Sequence, residues 1–261
     1  MRYVRLFSIY FQDAFEQRAR SLVWFLISLF GPLLMVLFWR GANYTHQQFS
    51  FSTISTYYFL LIIASAFLMS HPEEQVAEED IHQGSLVSYL LKPFSYLLTN
   101  FMSELPWRVI QGFFGVIVVI LCYILFRNVI SIHASLPVIG MSICTAVLGY
   151  ILGFLYKMTL GMLVFWLTEI DGILQMSDMI LFTFAGYIAP LFLFPTMLDR
   201  IATFLPFSYI LYFPVITFQG RVDGIYFLQI VATQLVWIVF FFTTYKILWE
   251  RGLKKFTAVG Q

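Results

Sequence analysis

The chain has 261 residues, 60% hydrophobic and 20% aromatic, with 11% charged and a formal net charge of +1. Soluble globular domains carry about 25% charged residues, so this composition excludes an ordinary water-soluble fold, and the near-neutral balance argues against nucleic acid as a partner. Its long uncharged runs are continuous rather than alternating, which excludes a transmembrane β-barrel and predicts an all-α polytopic membrane protein, one domain over residues 1–261.

Residues 1–20, MRYVRLFSIYFQDAFEQRAR, contain no unbroken apolar core and no small-residue cleavage site, so no cleavable signal peptide is expected. Tyr3, Leu6, Phe7, Tyr10 and Phe11 recur at helical spacing among Arg2, Arg5, Asp13 and Glu16, which predicts a helix lying in the membrane interface. Six spans are predicted, at about 21–39, 53–70, 108–126, 137–157, 173–192 and 225–246, since about 20 apolar residues cross a hydrocarbon core of roughly 30 Å. Arg2, Arg5, Arg18 and Arg20 precede the first span, and Lys246, Arg251, Lys254 and Lys255 follow the last, so both ends are expected in the cytoplasm. The loops 40–52 and 127–136, with Arg40 and Arg127, are then outside, and the insert 71–107 is inside.

That insert, HPEEQVAEEDIHQGSLVSYLLKPFSYLLTNFMSELPW, is the long polar segment of an otherwise apolar chain. It is expected to stand in water, because a charge at mid-bilayer costs roughly 2.5–3.5 kcal/mol or more. Its first half runs from Glu73 and Glu74 through Glu78, Glu79, Asp80 and Gly84 to an apolar patch around Leu86, Tyr89, Leu90 and Leu91, closed by Pro93. A short helix with Leu and Tyr side chains and an acidic rim suits a groove on a cytosolic protein. The alternative is a solvated link between two spans. After Pro93, Phe94, Leu97, Leu98, Phe101, Met102 and Leu105 predict a second amphipathic helix that turns into the third span near Pro106.

The run 136–168 is too long for one ordinary span and contains Lys157; either the helix is long and tilted, or it ends near Lys157 and an interfacial segment follows. Lys157 is expected to snorkel to the inner interface, with a role in a transport path as the alternative. Glu169 and Asp171 are placed at the inner boundary. Asp178, a lone carboxylate in the first turns of the fifth span, is expected to face the bundle or water in a structural or a functional role. From 190 to 224 the apolar run is interrupted by Pro190, Pro195, Pro206 and Pro214 and by Asp199 and Arg200. A straight span does not tolerate that many prolines, so a re-entrant hairpin at the outer face is expected, its arms Leu191–Phe194 and Leu205–Phe213.

No phosphate-binding G-x-x-x-x-G-K-[ST], no H-E-x-x-H and no G-x-S-x-G occurs. His46, His71, His82 and His133 are scattered and suggest no metal cluster, Cys122 and Cys144 are expected to be buried thiols, and no carboxylate pair is apparent at mid-span. Catalytic, cofactor and metal residues are therefore not assigned in this chain.

Six spans, cytoplasmic ends, an interfacial first helix, an amphipathic insert after the second span and a broken hairpin before the last resemble the ABC-2 type permeases, the membrane subunits of ATP-binding-cassette exporters. In that family the insert carries the coupling helix, an acidic stretch, a Gly and a Leu-rich turn before a Pro. Here those positions are Glu78-Glu79-Asp80-Ile81, Gly84, Leu86, Leu90-Leu91 and Pro93. The C-terminal third, with Phe165-Trp166-Leu167-Thr168, Pro190-Leu-Phe-Leu-Phe-Pro195, Leu205-Pro206-Phe207, Tyr212-Phe213-Pro214, Gly252-Leu253-Lys254-Lys255-Phe256 and Ala258-Val259-Gly260, is similar to a bacterial ABC-2 subfamily of uncharacterised or drug-export permeases. The resemblance implies the bacterial inner membrane, a partner nucleotide-binding ATPase that holds ATP and Mg, and a second permease subunit, identical or not. It also implies an outward path lined by spans two and five, including Tyr57, Tyr58, Phe67, Met176, Met179, Phe182 and Tyr187, with neighbours Phe59, Met69 and Phe184, for a hydrophobic or amphipathic cargo. Two other classes compete with this reading: an ATP-independent channel or secondary carrier, which would show inverted repeats or several midplane ionisable groups, and a non-transporting membrane scaffold.

Overall fold

The computed structural model describes residues 2–41, 50–125, 130, 135–167 and 169–256, and among them it is helical, with no strand. His46, Arg127, His133, Thr168 and the terminal Ala258-Val259-Gly260 lie outside the described residues.

Helix α1 (Arg2–Glu16) carries the expected amphipathic spacing and lies against the start of α6 (Tyr96–Leu125). α2 (Arg18–Gly41) is apolar and mostly exposed, as a lipid-facing span should be. α3 (Phe51–Leu68) is different. Its sequence FSTISTYYFLLIIASAFL is apolar or small on every side, and 12 of its residues are buried. Such a helix belongs at the centre of a bundle, and α3 packs on α2, α6, α7 (Leu136–Gly161) and α10 (Tyr212–Phe218). The last long helix, α11 (Gly224–Lys255), is capped by Asp223, whose carboxylate accepts from the Tyr226 N–H at 2.7 Å, and packs along α7.

Five helical segments are long and apolar enough to cross a membrane: Arg18–Gly41, Phe51–His82, Tyr96–Leu125, Leu136–Phe165 and Gly224–Lys255. Three expectations are corrected. The amphipathic helix after Pro93 and the third span are one continuous helix, α6, because Pro106 sits at a point the helix accommodates without a break. The fifth span, expected at 173–192, is α8 (Asp171–Phe184), 14 residues or about 21 Å at 1.5 Å per residue, too short to cross alone. It ends in a turn at 185–190, where Gly186 has φ +79°. Cys144 is exposed, and Cys122 is half-buried at the edge of the apolar cluster of Phe25, Phe59 and Ile62.

The fourth span runs unbroken through Lys157 to Gly161, then tightens into a single 3₁₀ turn, Met162–Phe165, before α8. Beyond α8 come a 3₁₀ turn Leu191–Leu193, α9 (Thr196–Phe204), a second 3₁₀ turn Pro206–Tyr209 and α10. Thr196–Phe204 and Pro206–Phe218 meet at a 72° bend, a broken span or a re-entrant loop, with Asp199 and Arg200 on the first arm.

Candidate partner-docking site

Beyond α3, and within the same crossing segment Phe51–His82, the chain forms an elbow that packs on α7 before α6 begins. Pro72 opens α4 (Pro72–Gln75), where its missing N–H has no partner to lose, and α4 runs directly into a π-helical segment, Val76–His82. Gly84 reverses direction at φ +80°, a conformation side-chain-bearing residues rarely adopt. The short α5 (Leu86–Leu90) follows, and Pro93 lies just beyond its end.

The elbow has two faces. Glu73, Val76, Ala77, Asp80 and Ile81 are buried, while Glu74, Gln75, Glu78, Glu79 and His82 are exposed. The inner face lies on the end of α7, where Gly161 makes room: a Cβ there would sit 2.9 Å from Val76 Cγ1 and 3.3 Å from Glu73 Cα. Val76, Ala77, Ile81 and Leu86 join Phe154, Met158, Met162 and Tyr245 in one apolar cluster. The outer face keeps Val87 at 39%, Leu90 at 48% and Leu91 at 82% exposure beside the exposed Glu74, Glu78 and Glu79. Of the residues expected to meet a partner, Glu78, Glu79, Leu90 and Leu91 are thus exposed, Gly84 forms the turn, and Asp80, Ile81 and Leu86 are turned inward. The expectation that the whole insert stands in water is corrected: two of its carboxylates are buried because each has a partner.

Asp80 Oδ2 accepts from the Tyr96 hydroxyl at 2.5 Å. Tyr96 stacks on Trp249 of α11 at 4.8 Å between ring centroids and meets Tyr89 edge-on at 5.4 Å, so the elbow is bound to the C-terminal end of the last helix. Tyr3 of α1 touches Phe94 at 5.7 Å. Burial, then the nearby Asp80 charge, pushes the Tyr89 phenol up to about 12 and raises Tyr10 of α1 as well. Both phenols therefore stay neutral around pH 7.

Glu73 belongs to a second network. The Lys157 ammonium donates to Glu73 Oε1 and to Asp178 Oδ1, the latter at 2.5 Å; Lys157 is 2% exposed, Glu73 0% and the Asp178 side chain 24%. His71 Nδ1 lies 3.3 Å from Glu73 Oε1, the His71 backbone N–H donates to Glu104 Oε1 at 3.4 Å, and Arg108 joins Glu104 Oε2 at 3.2 Å while donating also to the Met69 carbonyl. Lys157 therefore does not snorkel, and Asp178 is not a lone carboxylate. Burial of an ion is tolerable when its partners are within contact, and snorkelling is unnecessary where they are. His71, Glu73 and Asp178 present donor atoms within 4.8 Å of one another, the spacing of a cation site; the ammonium of Lys157 supplies that cation. His71 was not expected to share a cluster with acidic groups, since its partners come from three separate helices.

At the other end of the bundle, Tyr57 and Tyr58 are fully enclosed in this conformation. Their hydroxyls donate to the Gly186 and Ile188 carbonyls at 2.7 and 2.8 Å, anchoring the turn after α8. Tyr187 donates to the Ser28 carbonyl at 3.0 Å and so fastens the same turn to α2. Met176 and Met179 are exposed on α8 at 60% and 70%, and Phe67, Phe182 and Tyr187 are partly buried. Gln234 of α11 donates to the Thr145 and Tyr209 carbonyls, both at 2.9 Å, which ties α7 to the turn before α10.

The inner face of the elbow and the ion network escape a residue-level reading for different reasons. Residues 73, 76, 77, 80 and 81 recur at i, i+3, i+4, i+7 and i+8, so the helical inner face has a periodic signal, but two of its five positions are carboxylates that read as solvated. Lys157 and Glu73 are 84 positions apart, and no local spacing signals their pairing.

A search of curated proteins finds no match to this chain. A family model described as ABC-2 family transporter protein matches residues 22–260, nearly the whole chain. That match and the five crossing helices agree with one another: the chain belongs to the ABC-2 transporter family, as a multi-pass membrane subunit of the permease kind rather than an enzyme.

Proposed function

We propose that this chain is the permease subunit of an ATP-driven exporter, and that its elbow docks a separate nucleotide-binding subunit, which holds the ATP and Mg. The observation that carries the reading is the outer face of the elbow: Val87, Leu90 and Leu91 stand exposed with an acidic rim, on a segment whose inner face is fastened to the bundle. An apolar patch held rigidly into water fits a groove on a soluble protein. The elbow shares its end of the bundle with α1 and the close of α11, where Arg2, Arg5, Arg251, Lys254 and Lys255 lie, so that end is assigned to the cytoplasm of a bacterial inner membrane. The bent pair α9–α10 then closes the outer face as a re-entrant hairpin.

Two permease subunits, identical or paired with a relative, would face one another across the export path. The exposed Met176 and Met179 of α8, with Phe182 and Tyr187 above them, suit a hydrophobic or amphipathic cargo. Closure of the nucleotide-binding dimer would draw the two elbows together and rock the bundles from inward- to outward-facing.

The test is Leu90→Asp combined with Leu91→Asp. In membranes that contain the chain and its ATPase, the variant is expected to insert normally yet lose co-purification with the ATPase and lose stimulated hydrolysis. Unchanged pull-down together with unchanged hydrolysis would overturn the assignment.

A further inference from the structure

Helix α8 has a small buried face. Leu174, Ser177 and Leu181 are its buried residues, and Ile173, Met176, Met179 and Ile180 are exposed. Two of the interactions that fix it to α7 are polar: Ser177 Oγ meets the Tyr156 hydroxyl at 2.6 Å, and Asp178 Oδ1 meets Lys157 Nζ at 2.5 Å. The same ammonium is bonded to Glu73 at the root of the elbow. A single ion on α7 is therefore shared between the segment that faces the soluble partner and the helix that faces the proposed path.

We propose that Lys157 is a positioning residue through which displacement of the elbow reaches α8. The proposal rests on the ATP-driven reading above and names the device that carries the motion. Apolar packing also joins the elbow to α8, since Val76, Ile81 and Leu174 share one cluster. The ion pair is the stiffer link, because separating opposite charges away from water is expensive and steeply distance-dependent. A rigid-body shift of α4 thus pulls the ammonium, and the ammonium pulls Asp178 with the helix that bears it. Glu73 is 0% exposed, and its second oxygen, Oε2, has no hydrogen-bond partner among the described residues, so this buried carboxylate is held through Oε1 by Lys157 and His71.

The experiment uses the full chain in complex with its ATPase, in a background lacking Cys122 and Cys144. Spin labels are placed pairwise at Gln75 on the elbow, Met179 on α8 and Leu228 on α11. Distances are read without nucleotide and with ATP and Mg trapped. In the otherwise unmodified chain, the Gln75–Leu228 and Met179–Leu228 distances are both expected to shift. In Lys157→Met the elbow shift is expected to persist and the α8 shift to be lost, and Lys157→Arg, which keeps a cation able to reach both carboxylates, is expected to restore it. Because Lys157→Met strands two carboxylates, the triple variant Lys157→Met, Glu73→Gln, Asp178→Asn serves as the folded control, with none of the three charges left and the same loss expected. An α8 shift that survives in the triple variant overturns the transmission alone. An elbow that stays still in the unmodified chain overturns the ATP-driven reading, and the transmission with it.

Discussion

Removing the Lys157 ammonium would leave Glu73 and Asp178 converging on the space it filled, with Glu73 enclosed and only His71 beside it. Breaking a buried ion pair by deleting one partner typically costs about 3–5 kcal/mol. Lys157→Met is therefore expected to lower the unfolding temperature of the detergent-solubilised chain sharply, and the triple neutral variant to recover most of the loss. A triple variant no more stable than Lys157→Met would mean that packing around the lysine stem, not charge, sets the cost. The same residues mark how far a linear reading reaches. That Asp178 must face the bundle follows from a carboxylate in an apolar helix. That its partner is Lys157, 21 residues earlier and itself expected at the interface, does not. Pairings between separate helices leave no periodic trace, whereas the Asp80–Tyr96 bond, 16 residues apart across Gly84 and Pro93, falls within one insert and still needed the turn geometry to be seen.

At the scale of elements, the seating of the elbow on α7 depends on the absence of a side chain at position 161. Gly161→Val is expected to push Val76 and Glu73 away, at about 1–3 kcal/mol for overpacking, and to raise amide hydrogen exchange across 72–91. Gly140→Val on the same helix, with nothing within 4 Å of its added Cβ, is the neutral control. Equal exchange in the two variants would mean that the elbow is not seated on α7 as described. Long apolar helices were legible because length and hydropathy suffice: α2, α3, α7 and α11 fall close to the expected spans. Pro106 and α8 were not. A proline inside a helix can be accommodated or can break it, and which occurs depends on neighbours the sequence does not name. The segment 173–192 is mostly apolar, with Asp178 its one charge, but Gly186 and the Tyr57 and Tyr58 hydroxyls bend it out of line.

For the whole molecule, the assignment of the elbow to the cytoplasm predicts where each end is reachable. In a chain lacking Cys122 and Cys144, a cysteine at Arg251 is expected to react with an impermeant reagent only in opened vesicles, and one at Asp199 from the outside of intact cells. Asp199→Cys reachable only from the cytoplasm would sink the outer hairpin and the even number of crossings. α11, 32 residues and about 48 Å long, exceeds a hydrocarbon core of roughly 30 Å, which is how Trp249 reaches Tyr96 beneath the bundle. This seating bears on how such proteins can be recombined. A segment that touched its host only at two hinges could be exchanged between relatives as a cassette. Residues 72–91 are keyed to positions in four other helices: to Gly161 and Lys157 on α7, through Lys157 to Asp178 on α8, to Tyr96 on α6, and through Tyr96 to Trp249 on α11. On the docking proposed above, a chimera designed to redirect this permease to a different ATPase must leave the inward-facing residues of the elbow native and rewrite only Val87, Leu90, Leu91 and their acidic neighbours, treating the outer face as an interchangeable label on a fixed mount.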